Sequence, residues 1–154
     1  MSHHTLRTLD ADRGFTLVEV LVALVVMAVG MLGIAGLYVE GLRAGRTAVY
    51  RSAAVTLASD MADRIRANPT GGYEGAGPGD ESGCVNGAAD CSPDELAADD
   101  WASWQAELVQ RLPQGARAEI ERATVALTTE YRITLFWPEP GQETPASYAL
   151  ALQL

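Results

Sequence analysis

The chain has 154 residues and a formal net charge of -9. Its pI of about 4.6 argues against nucleic acid as a partner, and two Cys and two His are too few for most metal sites. The length suits one small domain plus an appendage.

The first segment, Met1 to Gly14, is polar and reads as an unstructured leader; its His3 and His4 belong to that leader rather than to a ligand set. The apolar run then opens at Phe15 as "FTLVEVLVALVVMAVGMLGIAGLYV". From Val20 to Val39 it holds 20 residues without a formal charge. At about 1.5 Å per residue that spans about 30 Å, one hydrocarbon core. A secretory signal has a shorter apolar region and a small-x-small cleavage site. The segment is therefore expected to stay in the mature protein.

A plain anchor does not explain Glu19. A carboxylate at a bilayer centre costs about 2.5–3.5 kcal/mol on insertion scales. Arg13-Gly14 stands directly before the apolar run, and Glu19 is the fifth residue of it. "GFTLVEVLVAL" resembles the N-terminal motif of type IV pilins and pseudopilins. The resemblance implies cleavage by a prepilin peptidase between Gly14 and Phe15, then N-methylation of Phe15 by the same enzyme. It places Glu19 at the family's fifth-position Glu. The new amine of Phe15 would sit at a helix N-terminus, which already carries partial positive charge. Residues 15 and 19 lie four apart, one helical turn, so Glu19 is expected to neutralise that amine within the chain or in a neighbouring subunit. In apolar surroundings such pairing favours one docking register.

Gly30, Gly33 and Gly36 follow at equal spacing. Three glycines lower helix propensity by about 1 kcal/mol each relative to Ala. Close helix packing, local melting and simple tolerance of small residues all remain open for them.

Beyond Val39 the helix is expected to turn amphipathic, with Leu42, Val49, Ala53, Leu57, Met61 and Ile65 in one stripe. Pro69 predicts a stop near Asn68, so residues 15–68 form one helix of about 80 Å. "SDMADRIRANP" at its end and "CSPDELAADDWASWQAELVQRLPQG" further on resemble the PilV-type minor pilins, the type IV pilus modification proteins.

Residues 70–89 are Gly-rich and read as a surface loop. Cys84 and Cys91 enclose six residues with no His nearby, a poor zinc pattern. With the head in the periplasm, as the resemblance implies, a disulfide is expected. Its short loop limits the entropic gain to about 2–3 kcal/mol. Ser92-Pro93-Asp94-Glu95 then marks a helix start, with Ser92 as N-cap, Pro93 first in the helix and Glu95 closing a capping box. Leu96, Trp101, Trp104, Leu108 and Leu112 form its apolar stripe, a break near Asp99-Asp100 is allowed for, and Pro113 and Gly115 end it. Trp101 and Trp104 read as core rather than as a sugar- or partner-binding surface.

The remainder alternates with period two. Strands are expected at 118–127, 131–137 and 147–154, with a turn at Thr128-Thr129-Glu130 and a longer one at 138–145; a split first strand would make four. Tyr131, Ile133, Leu135 and Trp137 share a face, as do Tyr148, Leu150, Leu152 and Leu154. The fold class is α+β, a long helix packed on a small antiparallel sheet. Four segments follow: a leader at 1–14, a transmembrane or filament-core half-helix at 15–39, an amphipathic half-helix at 40–68, and a periplasmic head at 69–154.

No catalytic constellation is visible. No His lies outside the leader, so a His-based triad is excluded from the mature chain. There is no phosphate loop or metal-ligand cluster, and Asp99-Asp100 reads as a solvated helix face. The chain is expected to be a substrate of the prepilin peptidase and to need no cofactor. The resemblance implies a minor pilin in the inner membrane, single-pass, that joins other minor pilins, the major pilin and the assembly platform. It would help to start pilus assembly, support adhesion and twitching motility, and reach the cell surface with the pilus. A minor pseudopilin of a type II secretion system and a membrane-anchored periplasmic binding module are the alternatives.

Overall fold

A computed structural model describes residues 14–75, 77, 83–84, 90–125 and 128–154. The expected leader thus lies outside the described residues, apart from Gly14. Along the chain come α1 (Leu17–Ala67), α2 (Pro93–Arg111), β1 (Arg117–Val125), β2 (Thr128–Trp137) and β3 (Ala146–Gln153). The architecture is α+β, a long N-terminal helix and a three-stranded antiparallel sheet. Two compact units divide the chain, Met1–Leu42 and Arg43–Leu154, and α1 contributes to both.

In the first unit every described residue is exposed, including the large apolar side chains from Leu17 to Val39. By length and composition this helix can cross a membrane. It continues without a break through Gly30, Gly33 and Gly36, and a Cβ at any of the three would meet nothing within 4 Å. Among the described residues, then, their small size serves no contact.

The second unit holds the core. Its α1 contribution is Ala54, Leu57, Ala58, Met61, Ala62 and Ile65, all buried. The expected stripe is correct from Leu57 onward but not before it. Val49 is 64% exposed and Ala53 only half-buried. Four residues turn about 40° past one full turn, so a stripe read in fours from Leu57 back to Ala53 and Val49 drifts off the buried face. The true face is lined by alanines, which a search for large apolar residues passes over.

α1 ends at Ala67, as Pro69 requires. Asn68 then turns inward: its Nδ2 donates to the Pro93 carbonyl at 2.7 Å, which ties the end of α1 to the start of α2. At that start the Ser92 side chain accepts from the Glu95 backbone, and the Glu95 carboxylate accepts from the Ser92 backbone at 2.8 Å. The capping box is therefore complete. α2 runs unbroken through Asp99 and Asp100, so the allowed-for interruption does not occur. Trp101 and Trp104 are core residues, at 3% and 0% exposure, packed edge to face at 5.4 Å. Each indole N–H finds a carbonyl: Trp104 that of Leu57 at 2.8 Å, Trp101 that of Tyr73 at 3.1 Å.

In the sheet, β2 lies between β1 and β3. Ile120 pairs with Ile133, which pairs in turn with Leu150. Tyr131, Ile133, Leu135 and Trp137 all face the core. The expected turn at Thr128-Thr129-Glu130 is instead the first part of β2, with Val125 opposite Thr128. Two β-branched threonines favour extended backbone over a turn. The first strand is continuous from Arg117 to Val125, and residues 126–127 fall outside the described residues. On its other side Ile120 meets Gly75 in a short antiparallel bridge.

Candidate functional site

Gly14, Phe15 and Thr16 precede α1 and belong to no regular secondary structure. Thr16 caps α1. Its Oγ1 and its carbonyl both accept the Glu19 N–H, at 3.3 and 3.1 Å, and the carbonyl also accepts the Val20 N–H at 3.2 Å. Thr-x-x-Glu is the capping-box spacing, a signal that the sequence offers at residues 16–19 and that the processing motif obscures. Glu19 is then the third helical residue, in the first turn. The helix dipole favours an anion there by about 0.3–1 kcal/mol. That gain is smaller than the cost of about 2.5–3.5 kcal/mol for a carboxylate at a bilayer centre. Helix chemistry alone does not account for Glu19 if the residue is drawn fully into an apolar phase.

Phe15 lies before the helix rather than within its first turn, and is 84% exposed. Even so, Phe15 and Glu19 line one shallow recess with Val20, Ala23, Leu24 and Met27. Phe15 and Val20 occupy the two positions of a hydrophobic staple. The recess is almost wholly apolar, and Glu19 is the one of its six lining residues with a formal charge.

In the second unit the structure corrects the reading of Asp99-Asp100. Asp99 is 5% exposed. Its two carboxylate oxygens accept the backbone N–H groups of Gly83 and Cys84. Cys84 is joined to Cys91 by a disulfide, so Asp99 fastens one end of the disulfide segment to α2. Asp100 takes the Arg64 guanidinium at 3.1 Å and the Tyr73 hydroxyl at 2.6 Å. Arg64 also reaches Asp60 at 3.1 Å and Ser103 Oγ at 2.8 Å. Burial pushes the Tyr73 phenol well above its ordinary value, and its bond to Asp100 adds to the shift. These carboxylates are engaged by donors and hold the head together. Among the described residues, no group of three or more His, Cys, Asp and Glu is placed to hold a metal ion.

Residues 9–35 match the family model of the prokaryotic N-terminal methylation motif. The matched stretch includes Gly14, Phe15, Thr16 and Glu19. No curated protein and no solved structure matches the chain. The motif supports a type IV pilin-like protein, of a pilus or a pseudopilus, and proteins that bear it are structural subunits rather than enzymes. It implies processing by a prepilin peptidase and assembly with other pilins. With the apolar helix it is consistent with a single-pass membrane anchor.

Proposed function

We propose that the chain is a PilV-type minor pilin, which waits in the inner membrane with its head in the periplasm and joins the complex that starts pilus assembly. The observation that supports this most is the methylation motif set on a capped helix start. Cleavage between Gly14 and Phe15 leaves a positive amine, N-methylated in the mature subunit, just ahead of the Thr16 cap. Glu19 stands in the same apolar recess as Phe15. The amine and the carboxylate each carry a desolvation cost in lipid or filament core, and pairing them offsets both. Other minor pilins, the major pilin and the assembly platform are the partners in this reading, and adhesion and twitching motility depend on the pilus so started.

Glu19→Ala separates assembly from processing. Leader removal is followed by mass spectrometry at Phe15, and incorporation by recovery of the subunit in sheared pili. The expected result is normal cleavage with loss of incorporation and of co-purifying minor pilins. Normal incorporation of the cleaved variant would overturn the role of Glu19. Recovery with secretion-pathway pseudopilins instead of pilus subunits would move the chain to the other machine.

A further inference from the structure

The Cys84–Cys91 bond joins two pieces of chain that α2 holds by separate means. Cys91 directly precedes Ser92, the N-cap residue. The Ser92 backbone N–H and hydroxyl are engaged with Glu95, and its carbonyl accepts the Leu96 N–H at 3.0 Å. Local chemistry at the helix start therefore places Cys91. Cys84 has no such neighbour. Asp99 lies seven positions past the N-cap, about two helical turns, which returns it to the side of α2 from which the chain enters. From there its carboxylate accepts the N–H of Gly83 at 3.2 Å and the N–H of Cys84. Among the described residues these two N–H groups have no other partner. Asp99 is 5% exposed, and shielding from water strengthens the bonds it accepts.

We propose that Asp99 is a positioning residue for disulfide formation. By binding the Gly83 and Cys84 N–H groups it brings the Cys84 thiol to the Cys91 thiol beside α2. The closed disulfide in turn holds Gly83 and Cys84 on Asp99. The oxidant is the disulfide of a thiol oxidase, or of glutathione in a reconstituted reaction. One cysteine thiolate attacks that disulfide, its S–S bond breaks, and a mixed disulfide forms as one oxidant sulfur leaves. The second cysteine thiolate displaces the other oxidant sulfur and closes Cys84–Cys91. Two electrons pass to the oxidant, and the two thiol protons end on its sulfurs.

The closing step is the one that Asp99 serves. Ordering Cys84 beforehand reduces the conformational freedom lost on closure. The coupling is reciprocal: what the Asp99 bonds add to the disulfide, the disulfide adds to the Asp99 bonds. This role is independent of Glu19 and of which filament the chain joins.

The test uses the full chain in detergent, where Cys84 and Cys91 are the two cysteines of the sequence. The protein is equilibrated with mixtures of reduced and oxidised glutathione, quenched in acid, alkylated and weighed. Asp99→Asn keeps one acceptor and turns an amide donor toward the second N–H. A hydrogen bond to a charged group is worth about 10-fold or more in an equilibrium constant. The glutathione equilibrium constant of the variant should therefore fall by about 10-fold. Asp94→Asn is the control. Asp94 makes the same kind of bond from the same helix, to the Gly72 N–H at 2.8 Å, in a segment without a cysteine. Its constant should match that of wild type. Emission of the buried Trp101 and Trp104 reports that each variant is folded. In wild type, hydrogen exchange at Gly83 and Cys84 should speed up on reduction, a readout that needs neither variant. An unchanged constant in folded Asp99→Asn, an equal shift in Asp94→Asn, or exchange at Gly83 and Cys84 that ignores reduction would each overturn the proposal.

Discussion

The Tyr73 hydroxyl donates to Asp100 Oδ2 at 2.6 Å, across 27 positions of sequence. The other Asp100 oxygen takes Arg64 at 3.1 Å. One carboxylate of α2 thereby joins the end of α1 to the segment that follows it. Hydrogen bonds to charged groups contribute about 1.5–3 kcal/mol each, and stranding a buried partner adds its desolvation cost. Asp100→Ala should destabilise the head by about 3 kcal/mol. Asp60 keeps Arg64 partly paired in that variant, so Arg64→Ala combined with Asp100→Ala should cost less than the two single changes added together. Denaturant melts of the four proteins measure this coupling.

Gly71 tests the close approach between the end of α1 and the start of α2. A Cβ there would collide with Asn68 Nδ2 and lie 2.8 Å from the Pro93 carbonyl. Those two atoms are themselves hydrogen-bonded at 2.7 Å. Gly71→Ala must push the pair apart and should cost about 1–3 kcal/mol. Gly72→Ala is the comparison, since its Cβ meets only the flexible Asp94 carboxylate at 3.2 Å. A lower midpoint for the first variant than for the second is the expected outcome.

What the sequence made legible follows the range of the forces. The start of α2 is written in four adjacent residues, Ser92 to Glu95, and appears where those residues place it. The faces of β2 follow from alternation alone. Asp99 and Asp100 carry no local sign of burial because their partners are distant: the backbone of Gly83 and Cys84 for the first, Arg64 and Tyr73 for the second. Nothing within a helical turn of an acidic pair distinguishes a solvated face from a buried clasp. The upper stripe of α1 failed for a different reason, because alanines form the buried face and give a weak periodic signal. At the N-terminus the processing motif overlaps a Thr16-to-Glu19 spacing that caps a helix. One short motif thus encodes both a cleavage context and the place where the helix starts.

The Ser92–Glu95 box should give the head a measurable acid sensitivity. The Ser92 backbone N–H, then its hydroxyl, hold the Glu95 carboxyl below its ordinary value of 4.5. A carboxyl with a lowered native pKa leaves the unfolded chain binding more protons as pH falls. Its contribution is present at neutral pH and is lost as pH drops below 4.5 and through the native value. Glu95→Gln should therefore be less stable than wild type at pH 7, and the gap should close under acid. Melting temperatures of both proteins, taken in steps from pH 7 to pH 3, test this. A gap that stays constant with pH would show that the lost bond matters and the charge does not.

Tyr73 gives the opposite sign at the other end of the scale. Burial, then the bond to Asp100, raises its phenol above the ordinary value of 10. Burial raises Tyr131 as well, with Arg122 opposing the shift and Glu74 adding to it. Above pH 10 the unfolded chain gives up these protons and the native chain keeps them, so the native state binds more protons and stability falls as pH rises. The head should lose stability progressively above pH 10, and the phenolate absorbance of Tyr73 should appear together with loss of structure rather than before it. Tyr73→Phe removes the bond to Asp100, so it should be less stable at pH 7 by about 1.5–3 kcal/mol. It also removes one titrating group, so its stability should fall less steeply above pH 10. Parallel absorbance and circular dichroism titrations of the two proteins decide it: a Tyr73 phenolate that forms while the head is still folded would mean that its clasp with Asp100 opens without unfolding.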